Sequence, residues 1–590
     1  MVKDNAASKK IKPHKRSDYI ETLDQTLQSI IGKLTGGLSP AALLLAFFDW
    51  FLHLNIHPAK QLRLLQLYQE NFWYLFRCYF FLMDIDKNQI QLLKTTPQDK
   101  RFANHLWHQF PYNFIHENFL LVQNWWHAAA TNVRGMSCHH EEVVDFTFRQ
   151  FLDMLSPSNF PYLNPEIQRE TIAQVGFNFI KGLENFIDDL SRYYNNMPPA
   201  GAENFIIGQN IAVTQGKVIY RNRLIELIQY LPEREQVYAE PILITPAWIM
   251  KYYILDLTPK HSLVKYLVKK GHTVFMISWK NPNKDDRDLG MMDYLNLGIM
   301  SALDVISDVL PQQKIHLVGY CLGGTLAAIA ASMMARDNDK RLISLTLFAA
   351  QVDFKEPGEL GLFIDESQIA YLENLMYNKG FLDTHQLAGA FQLLRSNDLI
   401  WSRMIREYML GERKPLTDLM AWNADATRLP YRMHSEYLRQ LFLHNQLAEG
   451  KYFVKNRAVS LGDITIPIFV VATERDHVSP WRSVFKINLL ASGNLTFALT
   501  SGGHNVGIVS LPVKNTKRYY RLSTLKDSDH YIDAETWYQT TKPHEGSWWP
   551  AWEHWLTEIS SEKHKPPPIG AKTVDRFVLE DAPGTYVFQK

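Results

Sequence analysis

Two textures of hydrophobic and polar residues divide the chain. From about residue 18 to 195, apolar positions recur at helical spacing and strand signals are scarce. LYQENFWYLFRCYFFLM (67–83) and FPYNFIHENFLLVQNWWHAAA (110–130) predict helices with wide aromatic faces. Core packing explains such faces most simply; a surface for a partner or a greasy particle is the other reading. NNMPPAGAEN (195–204) breaks the pattern. Beyond it, residues 210–229 alternate like a hairpin. PILITP (241–246), TVFMISW (273–279), KIHLVGY (314–320), LISLTLFAA (342–350) and IPIFVVATERD (466–476) are short β-rich runs, several separated by helical patterns. That alternation predicts a parallel sheet covered on both faces. Residues 352–440 read as helical and aromatic with no clear strand, an insertion of the size of a lid. The boundaries expected are a basic disordered tail over 1–17, a helical N-terminal domain over 18–200 and a catalytic domain over 201–590.

Composition narrows the function. The 590 residues are 46% hydrophobic with a formal net charge of +1, which argues against nucleic acid as a bulk electrostatic partner. Cys78, Cys138 and Cys321 are widely spaced and form no C-x-x-C pair, as expected of a reducing, cytoplasmic chain. The early lysines (Lys3, Lys9, Lys10, Lys12, Lys15) have no apolar stretch behind them, so no signal peptide is expected. AALLLAFF (41–48) falls far short of the roughly 20 residues of a spanning helix, so no transmembrane segment is expected and any apolar phase is met peripherally.

HLVGYCLGGTLAA (316–328) carries the chemistry. An apolar run enters Gly319-Tyr320-Cys321-Leu322-Gly323-Gly324 and a small-residue helix follows. This is the G-x-S-x-G nucleophile elbow with cysteine in the serine position. Gly319 and Gly323 remove Cβ atoms that would clash in so tight a turn, and Gly324 lets the helix pack close to the sheet. The helix N-terminus faces the sulfur; its dipole favours a thiolate, and the Leu322 N–H can donate to an oxyanion. Second donors are expected in the loop after PILITP, among Ala247, Trp248 and Ile249.

A thiol needs a base, and the base an orienting acid. Asp476 follows the strand IPIFVVATE, and 28 residues later His504 follows two glycines in TSGGHNVG. A turn or N-cap aspartate and a surface histidine are the bland readings. His477 competes as base, but adjacent residues on an extended strand end point to opposite sides. A metal site at Cys138-His139-His140-Glu141 is not expected, because adjacent residues rarely point at one ion. No cofactor is implied.

Beyond about residue 80 the chain resembles the class I polyhydroxyalkanoate synthases. The likeness rests on ordered motifs. They include PQDKRFANHLW near 97, SPSNFPYLNPEIQRET near 156, GQNIAVTQGKVIYRN near 208, GYCLGG, LMAWNADATRLP near 419, ATERDHVSPW near 472, SGGHNVGIVS near 501 and GSWWPAWEHWL at 546–556. The resemblance implies an α/β-hydrolase catalytic domain with a helical lid, preceded by an all-helical N-terminal domain. It implies a 3-hydroxyacyl-CoA substrate, short-chain such as 3-hydroxybutyryl-CoA, a growing polyester chain as product, cytoplasmic granules as location, and a homodimer. Its catalytic cysteine, aspartate and histidine fall on Cys321, Asp476 and His504. The alternative is a depolymerase or acyl-CoA thioesterase of the same fold; a non-enzymatic granule coat would not need the Cys, Asp, His order.

The thiol then has a chemical reason. A CoA substrate is already a thioester, so transfer to cysteine is near thermoneutral and keeps the acyl group activated; serine would trap it as an ester. Water must be kept away, and Phe363, Tyr371, Tyr377, Phe381, Trp401 and Tyr408 are the lid aromatics expected to do so. Trp548 and Trp549 read as packing residues of a terminal helix. Trp422-Asn423-Ala424-Asp425 reads as a structural turn by the lid, and Asp256 as buried or partnered near the site.

Overall fold

The computed structural model describes residues 35, 37–80, 99–384, 386, 389, 396–513, 517–526, 529–570 and 580–590. The basic tail expected over 1–17 lies outside the described residues, as does part of the lid sequence.

Helices account for the first texture. These are α1 (Pro40–Asn55), α2 (Pro58–Phe80), α3 (Tyr112–Ala130), α4 (Cys138–Met154), α5 (Pro165–Ala173) and α6 (Phe177–Tyr194). Ser39, Ser137 and Asn164 cap α1, α4 and α5 by accepting from backbone N–H groups of the first turn. The aromatic faces divide between the two readings. In and around α3, Trp107 and Phe119 are buried with Phe102, and Trp126 stacks on Phe148 of α4. On α2, Tyr68, Phe72 and Trp73 are exposed, so core packing does not explain them.

Helix α6 turns the usual amphipathic arrangement inside out. Asn178, Gly182, Asn185 and Asp189 lie on the face against the lid. Asn178 donates to the Met409 carbonyl at 2.7 Å and Asn185 to that of Glu407 at 2.9 Å. Asp189 accepts from Arg403, Tyr408 and Arg413 at 2.8–2.9 Å. Gly182 packs so close that a Cβ there would lie 1.8 Å from the Tyr408 carbonyl oxygen. The opposite stripe, Ile180, Leu183, Ile187 and Leu190, is exposed.

The second texture builds one large sheet. Its strands are β1 (Gly216–Arg221), β2 (Ile225–Tyr230), β3 (Ile242–Thr245), β4 (Val274–Trp279), β5 (Ile315–Tyr320), β6 (Leu342–Phe348), β7 (Ile468–Thr473), β8 (Leu495–Thr500), β9 (Tyr519–Leu525), β10 (Pro543–Glu545) and β11 (Glu580–Asp581). The order is β10-β9-β8-β7-β6-β5-β3-β4-β2-β1-β11. Strands β4, β3, β5, β6, β7 and β8 run parallel, and the hairpin β1–β2 extends the sheet antiparallel beside β4. All five β-rich runs become central strands and the expected hairpin forms. Strand β8 escaped the sequence pattern although it is wholly buried and leads directly to His504.

Crossover helices α7 (Leu263–Lys270), α8 (Ser301–Val309) and α9 (Leu322–Arg336) pack on the sheet. The lid leaves after β6 and returns before β7, and carries α10 (Glu366–Tyr377). It is not strand-free: Phe381–Leu382 pairs antiparallel with Leu429–Pro430. Two residues are too short for periodicity to reveal. Helices α11 (His504–Ile508) and α12 (Trp549–Ile559) complete the elements that matter below. Asp256 is buried, and one of its oxygens accepts from Thr214 and Ser262. Trp422 donates to the Lys251 carbonyl and Asp425 accepts from Tyr253, so this turn ties the lid to the sheet.

Candidate active site

Strand β5 ends at Tyr320 and α9 begins at Leu322, leaving a single residue to turn the chain. Cys321 does so at φ 52° and ψ −123°, a conformation that side-chain-bearing residues seldom adopt. The glycines make this possible. A Cβ on Gly319 would lie 2.3 Å from the Gly324 Cα, one on Gly323 2.2 Å from the Thr245 carbonyl oxygen, and one on Gly324 2.4 Å from the Ala350 Cβ. All three are closer than atoms can approach, so no side chain fits. The Cys321 N–H is held by the Phe348 carbonyl at 2.8 Å.

Asp476 and His504 meet behind the elbow. His504 Nδ1 lies 2.8 Å from Asp476 Oδ2, and the Cys321 thiol is within hydrogen-bonding reach of the same imidazole. Asp476 also accepts from the Val478 and Ser479 N–H groups on Oδ1 and from the Thr473 hydroxyl on Oδ2. It is thus both the turn-forming aspartate and the partner of the histidine. The histidine whose Nδ1 faces the Asp476 carboxylate is His504. Burial disfavours the charged forms of both groups. Their mutual attraction outweighs it: the Asp476 carboxyl is held below the usual range, and His504, facing Asp476 and the Cys321 sulfur, well above its own.

The oxyanion candidates converge on the same place. The β3 loop passes so near the start of α9 that Gly323 is required there. Trp279 Nε1 donates to the Pro246 carbonyl, Thr427 Oγ1 to Trp248 at 2.6 Å, and the Thr427 N–H to Ile249, which fixes those peptide planes. Cys321, Leu322, Trp248 and Ile249 all line one cavity of about 140 Å³. Asp476 and His504 are not among its lining residues.

The lid supplies most of the remaining wall, including Phe354, Leu372, His434, Tyr437 and Phe442. Of the lid aromatics expected from sequence, Phe363 alone lines it. Tyr371 bonds to Thr35, Tyr377 and Phe381 lie against Arg287 and Arg428, and Tyr408 faces α6. Burial pushes His434 down to about 4, so it stands neutral in the wall. Sequence reasoning missed His434 and Tyr437, because a lid residue reveals its facing only through tertiary packing.

It also missed what the tryptophans near the C-terminus hold. Trp548 Nε1 donates to the Gly507 carbonyl and Trp549 Nε1 to that of Ile508, both at 3.0 Å. They are packing residues, as expected, and they brace α11, whose first residue is His504. From the elbow side, Tyr320 donates to Asn505. His139 and His140 contact different carboxylates, Asp365 and Asp49.

Comparisons with known proteins agree with this architecture. The family described as Poly-beta-hydroxybutyrate polymerase (PhaC) N-terminus matches residues 98–267, and Poly-beta-hydroxybutyrate polymerase N terminal matches residues 19–60. The second match extends the likeness into the first 80 residues, where motifs alone gave least. The alpha/beta hydrolase fold family matches residues 240–510. The chain is 37% identical over 492 residues to the Poly(3-hydroxyalkanoate) polymerase subunit PhaC of Rhizobium meliloti, covering 83% of this chain and 79% of that one. It is 38% identical to the Poly(3-hydroxyalkanoate) polymerase of Methylorubrum extorquens, covering 85% and 82%. It is 34% identical to the subunit PhaC of Cupriavidus necator, covering 83% of each.

Proposed function

The chain belongs to the poly(3-hydroxyalkanoate) polymerase family, and from that premise we propose that it polymerises short-chain 3-hydroxyacyl-CoA through an acyl thioester on Cys321. The observation that carries the reading is a thiol on a strained elbow, backed by a His–Asp pair and facing a mainly apolar cavity. The chain is an acyltransferase of the α/β-hydrolase fold.

The Cys321 thiolate attacks the acyl carbon of the CoA thioester. The carbon–sulfur bond to CoA breaks, and the proton held by His504 goes to the departing CoA sulfur. The hydroxyl of a monomer or growing chain next attacks the Cys321 thioester. Its proton passes through His504 to the cysteine sulfur as the new ester leaves. Four hydrogen bonds occupy the Asp476 carboxylate, which supports His504 as the base and Asp476 as its orienting partner. The N–H groups of Leu322, Trp248 and Ile249 stabilise each tetrahedral oxyanion, an effect of roughly 3–4 kcal/mol per donor in comparable sites.

The exposed apolar stripe of α6 and the exposed faces of α1 and α2 support association with the polyester granule. Among the described residues no helix is long and apolar enough to cross a membrane, so the contact would be peripheral.

The test uses purified protein with 3-hydroxybutyryl-CoA, free CoA read with a thiol reagent and turbidity in parallel, beside Cys321→Ala. CoA release with rising turbidity, both lost in the variant, supports the reading. CoA release with free 3-hydroxybutyrate and no turbidity means a thioesterase.

A further inference from the structure

The cavity holding Cys321 is not closed by the hydrolase fold and its lid alone. Gly37 and Leu38, which precede α1, are part of its wall. Gln368, on α10 of the lid, clasps this segment. Its Oε1 accepts the Ser39 N–H at 2.7 Å and its Nε2 donates to the Gly37 carbonyl at 2.7 Å. Both bonds are buried, so each resists exchange with water. Beside the clasp, the Thr35 and Tyr371 hydroxyls lie 3.2 Å apart.

The clasp sits in a wider contact between the N-terminal helices and the lid. The Phe146 ring of α4 meets Phe363, itself a wall residue, edge-on at 5.8 Å. His139 approaches Asp365, whose side chain caps α10 by accepting the Gln368 N–H. Arg149 faces Glu359 at 3.8 Å. Helix α10 is thereby fixed from outside at its N-terminus, and the 37–39 segment lies across the chamber.

We propose that Gly37 and Leu38, held in place by the Gln368 clasp on Gly37 and Ser39, form a wall of the acyl chamber supplied from outside the hydrolase fold, and that this wall sets the ratio of polymer to free hydroxy acid. The inference rests on the function proposed above. With the wall in place, the Cys321 acyl thioester meets only the chain hydroxyl. With the wall displaced, water adds to the acyl carbonyl, the carbon–sulfur bond breaks, the sulfur takes a proton through His504, and a free hydroxy acid leaves. The lid aromatics were expected to exclude water; the structure gives part of that task to the N-terminal segment.

The test compares full-length wild type, Gln368→Leu and Leu38→Ala with 3-hydroxybutyryl-CoA. It measures free 3-hydroxybutyrate and polymer per CoA released, a ratio independent of rate. Gln368→Leu removes both bonds of the clasp and should raise the ratio of free acid to polymer about thirtyfold, the effect of two lost buried hydrogen bonds. Leu38→Ala should shift it in the same direction by less. Circular dichroism checks folding, and if Gln368→Leu is unfolded, Leu38→Ala decides. Wild-type ratios in the folded variants, beside a wild type that makes polymer, would overturn the inference. A wild type that releases CoA and makes no polymer would overturn the function on which it rests.

Discussion

The elbow and helix α6 solve opposite problems with the same kinds of residue. At the elbow, apolar strands and three glycines converge until no side chain fits, and the surrounding core holds Cys321 in a conformation it would not adopt alone. On α6, asparagine, aspartate and glycine face inward, and Ile180, Leu183, Ile187 and Leu190 are left in solvent. One region uses its apolar burial to hold a strained turn. The other leaves its apolar surface exposed. Apolar content alone therefore does not show where a core lies; the partner of each stripe does.

The sharpest way to break this contrast is at Gly323. Alanine there places a Cβ 2.2 Å from a backbone oxygen of the β3 loop, with no flexible side chain to yield. The expected result is a loss of CoA release of up to about a hundredfold together with a lower melting temperature, since overpacking of this kind costs about 1–3 kcal/mol. CoA release and calorimetry check both. Wild-type behaviour would mean that the loop is softer than its packing suggests.

A middle-sized effect tests the other side. Leu183→Asp with Ile187→Asp should cut partition onto polyester particles by about tenfold or more, since side chains resting on a particle surface gain only part of the roughly 1.5–3 kcal/mol of full burial. Sedimentation with isolated granules reads the partition. The melting temperature should hardly move, because these side chains bury little in the fold; a large drop would show that the stripe is covered within the protein.

The smallest expected effect sharpens the boundary between core and site. Trp549→Phe keeps an aromatic ring near α11 while shrinking it and removing the bond to the Ile508 carbonyl. A several-fold fall in kcat with KM nearly unchanged would identify Trp549 as a positioning residue for His504. Equal changes in stability with no kcat effect would leave it a packing residue only.

Much of this was legible in the chain itself. The five central strands and the hairpin were marked by β-rich runs, and the elbow by glycines two before and two after Cys321. Asp476 was marked by its place after β7, and His504 by its glycine approach. The lid, expected over 352–440, was legible as an insertion after β6 but not in facing. Its aromatics spread over several short helices, so spacing could not say that Phe354, Tyr437 and Phe442 line the cavity while Tyr371, Tyr377 and Tyr408 bond elsewhere. Strand β8 is buried on both faces, so its six residues LTFALT show no clean alternation to mark a strand.

Local rules made three features legible in the chain: the glycine-bounded turn, the settings of Asp476 after a strand and of His504 after two glycines, and the change from helical to strand periodicity at residues 195–204. Each depends on neighbours a few residues apart, where steric and hydrogen-bonding demands act directly on the chain. Packing between distant segments sets which way the stripes of α6 face, brings Trp548 and Trp549 against the helix of His504, and lets Gln368 clasp Gly37 and Ser39. The clasp joins residues more than three hundred positions apart. No local periodicity encodes such a contact, because its partners meet only after the sheet, the lid and the N-terminal helices have packed together.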